Sequence, residues 1–180
     1  MPAFEKLSTG GSIDLRIVQD GTEKVVVETD ENLQEAIIIE VEDGSLKIRT
    51  KDRVRISATK LVVTVSCKTL SAIASGGSGN IVTENILKGD ELSISHGGSG
   101  DFDLELDVKK LKISSAGSGD YKLRGHAGTL NLSLAGSGEV DAQLLDCDQA
   151  KIATAGSGDV HLKKGTTAKV SSTGSGDVTY

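Results

Sequence analysis

Apolar and polar residues alternate along most of this chain, and a period of two is typical of strands with one buried face. From residue 71 onward the alternating stretches flank a recurring turn that reads Gly-Ser-Gly followed by Asp, Asn or Glu. Successive turns begin 21, 19, 19, 20 and 18 residues apart. Their glycines are Gly77, Gly79, Gly98, Gly100, Gly117, Gly119, Gly136, Gly138, Gly156, Gly158, Gly174 and Gly176. A repeat of this length is typical of a solenoid, in which each coil packs only on its neighbours.

The same kind of side chain recurs at the same distance from each turn. Four residues before the first glycine the chain always has an aliphatic residue, namely Ile73, Ile94, Ile113, Leu132, Ile152 or Val170. Each turn is therefore predicted to lie between two strands, and equivalent residues should stack about 4.8 Å apart in the core. Because parallel crossovers are overwhelmingly right-handed, we predict an all-β fold, a right-handed parallel β-helix or solenoid with coils of roughly 19 residues.

The first 70 residues depart from this period but keep the alternation. Thr9–Leu15 is a degenerate copy of the turn, which puts Ile13 and Leu15 in the downstream columns, four and six residues after the first glycine, where the first regular copy has Ile81 and Thr83. Other alternating stretches lie at 25–27, 37–41, 46–48 and 61–65, with a hairpin turn at Asp43-Gly44 and a short helical piece near 31–35. We predict a β-rich N-terminal part over 1–70, whose irregular coils or hairpins cap the stack, and a regular solenoid over 71–180.

The composition restricts both the core and the partners. There are 22 glycines, one proline, no tryptophan and 2% aromatic residues, so the core must consist of stacked aliphatic side chains. The formal net charge is −6 and basic residues are not clustered, which argues against nucleic acid as a partner. Cys67 and Cys147 lie in alternating apolar stretches and are predicted to be small buried hydrophobic residues, with a disulfide left open.

The turn residues have more than one interpretation. Each glycine is expected to adopt positive φ at a tight corner. The residue that closes each turn should form an exposed column, in which Asp side chains bond to turn amides. Two alternatives are a line of bound cations, with Asp101, Asp120, Asp159 and Asp177 as weak candidate ligands, and recognition of a basic partner. The calcium-binding nonapeptide repeat has a different order of Gly and Asp and about half this period.

Residues that could carry catalysis are scattered. None of the three histidines has a second ligand at metal-binding spacing, and His96 is predicted to lie in the core or at its boundary. His161 is expected beside Asp141 and Asp177 in neighbouring coils. Asp103 and Asp141 should lie two coils apart on an outer face, without an arginine or a sugar-stacking aromatic residue. We predict no catalytic residue, no cofactor and no enzymatic activity; a glycan-active β-helix enzyme is the least favoured alternative.

One outward-facing column contains only small residues. It lies three residues before each turn and comprises Ala74, Ser95, Ser114, Ser133, Ala153 and Ser171. The residue just before each turn is also small. One outer face should therefore be flat, either because a tight corner excludes large side chains or because this face packs on another subunit, as in a homo-oligomer, or on the N-terminal segment.

The Gly-Ser-Gly-Asp-Val repeat, its flanking strands and the segment Glu42–Ile48 together resemble the auto-transporter adhesin head, or GIN-domain, family of Bacteroidetes-type bacteria. The resemblance covers essentially the whole chain. It implies an extracytoplasmic β-helical protein, secreted, periplasmic or associated with the outer membrane. Met1–Phe4 does not begin a signal peptide, which predicts either a cytosolic protein or, as the resemblance implies, an exported one whose leader is absent from this chain.

The function that this resemblance implies is a non-enzymatic adhesin-like or structural binding module. An envelope protein that binds lipid or carbohydrate is the alternative. The expected partner is an unidentified protein, glycan or lipid at the cell surface.

Overall fold

The computed structural model describes residues 1–29, 31–51 and 61–180, which form strands and one 3-10 helix, Glu31–Ala36. The strands of the N-terminal part are β1 (Lys6–Thr9), β2 (Asp14–Gln19), β3 (Lys24–Thr29), β4 (Ile37–Glu42), β5 (Ser45–Thr50) and β6 (Leu61–Cys67). Those that follow are β7 (Ala72–Ser75), β8 (Ile81–Thr83), β9 (Leu87–His96), β10 (Phe102–Ser115), β11 (Tyr121–Gly136), β12 (Val140–Gly156), β13 (Val160–Leu162), β14 (Thr167–Gly174) and β15 (Val178–Thr179). Within these ranges, no helix has the length and apolar character needed to cross a membrane.

The strands stack in two ladders on either side of one core. The upstream ladder contains the strands that precede the corners, in the order β4-β5-β1-β7-β9-β10-β11-β12-β14. The downstream ladder contains those that follow them, in the order β3-β6-β2-β8-β10-β11-β12-β13-β15. The long strands β10, β11 and β12 belong to both, because each runs from one corner to the next. Every pair is parallel except β3-β6 and β4-β5, so the fold is a parallel β-solenoid, as the repeat predicts.

The N-terminal part joins the stack in an order that differs from the order along the chain. Strands β1 and β2 lie between β5 and β6 on one side and β7 and β8 on the other. Leu7 accordingly pairs in register with both Leu46 and Ile73. Strands β3 and β4 then fold back antiparallel on β6 and β5 and form the last layer at this end of the stack.

Two local predictions for this part are confirmed and one is wrong. The hairpin between β4 and β5 turns at Asp43 and Gly44, whose φ values are 50° and 70°, and the helical piece is the 3-10 helix. However, Leu15 and Ile17, rather than Ile13 and Leu15, pair with Ile81 and Thr83 of the downstream columns. Ile13 instead lies over Gly79, in the place of the second corner glycine, where its side chain is buried.

Aliphatic columns fill the space between the ladders. The side chains of Ile73, Ile94, Ile113, Leu132 and Ile152 are each at most 2% exposed. Val170, the sixth member of this column, is 39% exposed because β14 pairs with β12 on one side and with no described strand on the other. Cys67 and Cys147 are free thiols, and burial raises the pKa of Cys67 to about 11.

The corners are the places where successive coils approach most closely. A Cβ atom added to either glycine of a corner, for example Gly98 or Gly100, would overlap the backbone carbonyl of the equivalent residue in the preceding coil. The serine amide between the two glycines donates a hydrogen bond to that coil, as from Ser99 N to Gly77 O at 3.1 Å. Glycine is therefore required because a side chain would force the coils apart.

The prediction that these glycines adopt positive φ is wrong for ten of the twelve. Only Gly156 and Gly174 have φ in the left-handed region, at 139° and 137°. At the other ten positions the backbone conformation is open to any residue, and close contact between coils alone excludes a side chain.

We expect Gly98→Ala to lower the free energy of unfolding by about 1–3 kcal/mol or more, since the new methyl group meets backbone atoms that cannot rotate away. Gly97→Ala is the matched control, because a Cβ at Gly97 meets nothing within 4 Å. Urea unfolding followed by circular dichroism measures both variants. Equal stability of the two would show that coil spacing does not determine the residue at this position.

Candidate binding surface

The small residues form a continuous line across the outer face of the upstream ladder. Ser114 on β10 pairs in register with Ser95 on β9 and with Ser133 on β11. Ala153 and Ser171 continue the line on β12 and β14. We call this the serine line; its remaining member is Ala74, on β7.

A second line of residues runs beside the serine line, two residues earlier on each strand. Its members are in register across β9, β10, β11, β12 and β14, and they are Ser93, Lys112, Asn131, Lys151 and Lys169. Lys112 Nζ lies 2.6 Å from Glu91 Oε1. Lys151 and Lys169 form no ion pair with any residue that the structure describes. The face therefore presents hydroxyl and amide groups bordered by positive charge.

Shallow depressions follow this face of the solenoid. One of about 420 Å³ lies over β9 to β12 and is lined by side chains of both lines, including Lys112, Asn131 and Lys151. A second, of about 420 Å³, lies toward the N-terminal part around Ser8 and Ala74. A third, of about 410 Å³, includes Lys151 and Lys169. All three are open to solvent, and neighbouring depressions share Ser114 or Asn131 and Lys151, so we call the three together the groove.

Aromatic side chains do not contribute to this groove. Phe4, Phe102 and Tyr121 are buried, and Tyr180, the fourth aromatic residue of the chain, is 57% exposed in the last coil. Contacts at the groove must therefore rely on hydrogen bonds and charge, because the stacking platforms that many sugar-binding sites use are inside the core.

The residues that close the corners, which we call the acidic column, form hydrogen bonds between successive coils. From Asn80 onward, the backbone amide of every residue in the column except Asp159 donates a hydrogen bond to the side-chain oxygen of its equivalent in the preceding coil. Asp101 N donates to Asn80 Oδ1 at 3.0 Å, and Asp120 N donates to Asp101 Oδ1 at 2.9 Å. Asp14 belongs to the same column, since its Oδ1 accepts a bond from Asn80 N at 2.8 Å. The predicted bond to a turn amide is confirmed, with the difference that the amide belongs to the next coil.

The longer side chain of Glu139 interrupts this pattern. Glu139 N donates to Asp120 Oδ1 at 2.8 Å, and Asp177 N donates to Asp159 Oδ1 at 2.8 Å. Between them, the Glu139 carboxylate lies away from the corner, with Oε1 3.6 Å from His161 Nε2. The carboxylates of Asp101, Asp120 and Asp159, three of the weak metal candidates, thus each accept an amide hydrogen bond. In the described part of the chain, no three His, Cys, Asp or Glu side chains converge as metal ligands would.

The outer face of the downstream ladder carries the residues that could suggest catalysis. Asp103 and Asp141 lie two coils apart, as predicted, but Lys122 lies between them in register. The expectation that no arginine joins them is wrong, because Arg124 forms an ion pair with Asp103. Both carboxylates therefore lie beside cationic side chains.

One of the two neighbours predicted for His161, Asp141, is confirmed, and the other is wrong. His161 pairs in register with Asp141 and with Thr179 rather than Asp177. Its Nδ1 lies 2.8 Å from Thr179 Oγ1.

His96 lies in an aromatic cluster inside the solenoid, as the core interpretation predicts. Its ring is 4% exposed and packs edge-on against Phe102, with ring centroids 5.0 Å apart. Phe102 in turn stacks on Tyr121 of the next coil at 4.8 Å. Neither ring nitrogen has a hydrogen-bond partner among the described residues. Burial lowers the pKa of His96, outweighing the opposite effects of nearby backbone groups and Asp101.

A family model for the putative auto-transporter adhesin, head GIN domain, matches residues 3–180. The chain belongs to this family. Among curated proteins, none matches the chain.

Solved structures similar to this GIN-domain chain have the same fold. A putative adhesin from Bacteroides fragilis is 24% identical with a TM-score of 0.85, and the match covers 98% of this chain and 92% of that one. A putative lipid binding protein from Parabacteroides distasonis is 21% identical with a TM-score of 0.74, covering 99% and 93%. A putative adhesin from Parabacteroides merdae is 23% identical with a TM-score of 0.64, covering 100% and 93%.

We expect Asp120→Ala in this GIN-domain chain to lower the free energy of unfolding by about 1 kcal/mol, since the Glu139 amide loses its acceptor. Asp120→Asn should retain most of the stability, because Asn80 makes the same bond naturally. Asp177→Ala is the control, because no described coil follows it. Thermal unfolding ranks the three variants, and an Asp177→Ala loss as large as that of Asp120→Ala would contradict the role of the bond.

We expect His96 to make the stability of this GIN-domain chain depend on pH. Because the pKa of His96 is lower in the folded state, the unfolded chain binds the proton more readily. The free energy of unfolding should therefore fall as the pH drops below about 6.5, the ordinary pKa of histidine. His96→Phe should flatten this dependence while His126 and His161 are retained. Thermal unfolding between about pH 8 and about pH 5 tests this, and parallel curves for the two proteins would contradict it.

Proposed function

We propose that this chain is a non-enzymatic, extracytoplasmic adhesin-like module that binds a cell-surface partner along the groove of the upstream ladder. The observation that carries the proposal is the serine line with its parallel line of lysines, held on a rigid stack of hydrogen-bonded strands. Membership of the adhesin head family supports a binding role and a location outside the cytoplasm.

The chemistry of the groove favours a partner that carries acidic groups and many hydrogen-bonding groups, such as an acidic glycan. Lys151 and Lys169 supply positive charge, while Ser114, Asn131 and Ser133 supply donors and acceptors. The groups repeat at the spacing of the strands, about 4.8 Å, so an extended polymer can meet several of them at once. Such contacts are individually weak and add through multivalency.

Lipid binding is the second candidate, because one relative of the same fold is named a putative lipid binding protein. The groove itself supports it less well. The large apolar side chains that are exposed among the described residues are Met1, Val26, Ile86, Leu144, Val170 and Tyr180, and none of them lines the groove. An anionic headgroup rather than an acyl chain would therefore have to make the contact.

The absence of enzymatic activity is part of the proposal. The relatives with this fold include proteins named as putative adhesins. On the downstream ladder, Lys122 lies between Asp103 and Asp141, and Arg124 forms an ion pair with Asp103, so the two carboxylates do not face each other across an open site.

Binding of the labelled chain to arrays of acidic and neutral glycans and to anionic and neutral phospholipid vesicles tests the proposal. We expect binding to acidic glycans, reduced at least about tenfold by Ser133→Trp, which fills the groove, and by Lys151→Glu. Lys122→Trp is the matched control, since Lys122 is exposed on the downstream ladder.

The pattern of results separates the two candidates. Binding to anionic vesicles but to no glycan would favour lipid. A chain that binds none of these surfaces, or that binds them equally with Ser133→Trp, would overturn the assignment of the groove.

A further inference from the structure

Both ends of the solenoid leave apolar side chains half covered. The partly buried hydrophobic residues that pack on the core belong, except for Cys147, to the two terminal layers: Val25, Val27, Ile37, Ile39 and Val41 at one end, and Ala168 and Val178 at the other. Val170 and Tyr180 in the last coil are 39% and 57% exposed. In the coils between, equivalent positions are almost fully buried. The core is therefore closed along its sides and open at its two ends.

The same two ends carry strands that are paired on one side only. We call β14 with β15 the C-terminal edge and β3 with β4 the N-terminal edge. Within the described residues, β14 pairs only with β12 and β15 only with β13, while β3 pairs only with β6 and β4 only with β5. Each edge presents a row of backbone donors and acceptors that favours pairing with another strand. Because the two edges end the same two ladders, β14 of one copy can face β4 of another, and β15 can face β3.

The corner of the last coil has the same kind of side-chain acceptor that, in earlier coils, binds an amide of the coil that follows. In the earlier corners, side chains such as that of Asp159 accept a bond from the amide of the following coil. Asp177 occupies this place in the last coil, and among the described residues no amide donates to it. The C-terminal edge thus has the acceptors for one more layer.

We propose that copies of this chain associate head to tail, with the C-terminal edge of one copy against the N-terminal edge of the next. The contact would bury Val170 of one copy against Val41 of the other, and Val178 against Val27. It joins two different surfaces, so it does not close on itself and leads to an open series of oligomers rather than a fixed dimer.

The charges at the two ends favour this head-to-tail contact over a contact between two identical ends. Residues 160–180 contain three lysines and one aspartate, and Lys164 and Lys169 are exposed. Residues 35–43 contain four carboxylates and no basic residue. Lys47 and Arg49 on β5 pair with two of these, Glu42 and Glu40, which leaves Glu35 and Asp43 without a described partner. A contact between two C-terminal edges would instead bring lysines together.

Sedimentation velocity of the 180-residue chain across about a hundredfold range of concentration tests the proposal. We expect the weight-average mass to rise with concentration. Val170→Lys, at the C-terminal edge, and Val41→Lys, at the N-terminal edge, should each weaken association at least about tenfold. Leu144→Lys is the matched control, because Leu144 is 71% exposed on the side of the solenoid and its loss should change nothing.

Mixing the two edge variants gives the decisive result. Val170→Lys retains an intact N-terminal edge and Val41→Lys an intact C-terminal edge, so a mixture should form a one-to-one dimer that grows no further. Unchanged thermal unfolding at low concentration checks that both variants fold. If Val41→Lys does not, Lys169→Glu on exposed β14 provides a second weakening variant. A wild-type chain that stays monomeric, or a Val41→Lys variant that folds and associates like wild type, would overturn the proposal.

Discussion

The close approach of successive coils at the Gly-Ser-Gly corner is the constraint on which the rest of the fold depends. At each corner the backbone carbonyl of one coil lies where a Cβ atom of the next would be, as Gly98 lies over Gly77. The bond from Ser99 N to Gly77 O holds the two coils in this position. Because a parallel ladder has one register, stacking the corners also fixes which side chains overlie one another on both flanking strands. The aliphatic columns of the core follow from this register.

The acidic column is a second consequence of the corner. Where the chain turns, the amide of Asp120 has no backbone carbonyl in the preceding coil, and the Asp101 side chain supplies the acceptor. This explains why Asp and Asn both occur and why Glu139, whose carboxylate lies further from the backbone, gives no such bond to the next coil.

The regular coils could be predicted from the sequence, because their period and their apolar columns are local features. The insertion of β1 and β2 between β5-β6 and β7-β8 could not, since alternation identifies strands but does not say which distant strands pair. The sequence also could not show why the corner residues are glycines, because a positive φ and a close contact between coils both require glycine. For the groove, the serine line was visible in the sequence. The position of Lys151 and Lys169 beside the serine line depends on the register between strands, which the sequence alone does not give.

A repetitive solenoid separates two kinds of contact. Its sides present the same groups at every coil, so a partner on the groove gains affinity from the number of coils it spans rather than from any single residue. Its ends break the repetition and hold the partly covered apolar side chains, including Ile39 and Val170. A contact between ends would leave the serine line of each copy free, with Glu40, Lys47 and Ser8 of the next copy between the two lines. Association at the ends would thereby align the grooves of several copies, and the two proposed contacts meet at Lys169 on β14.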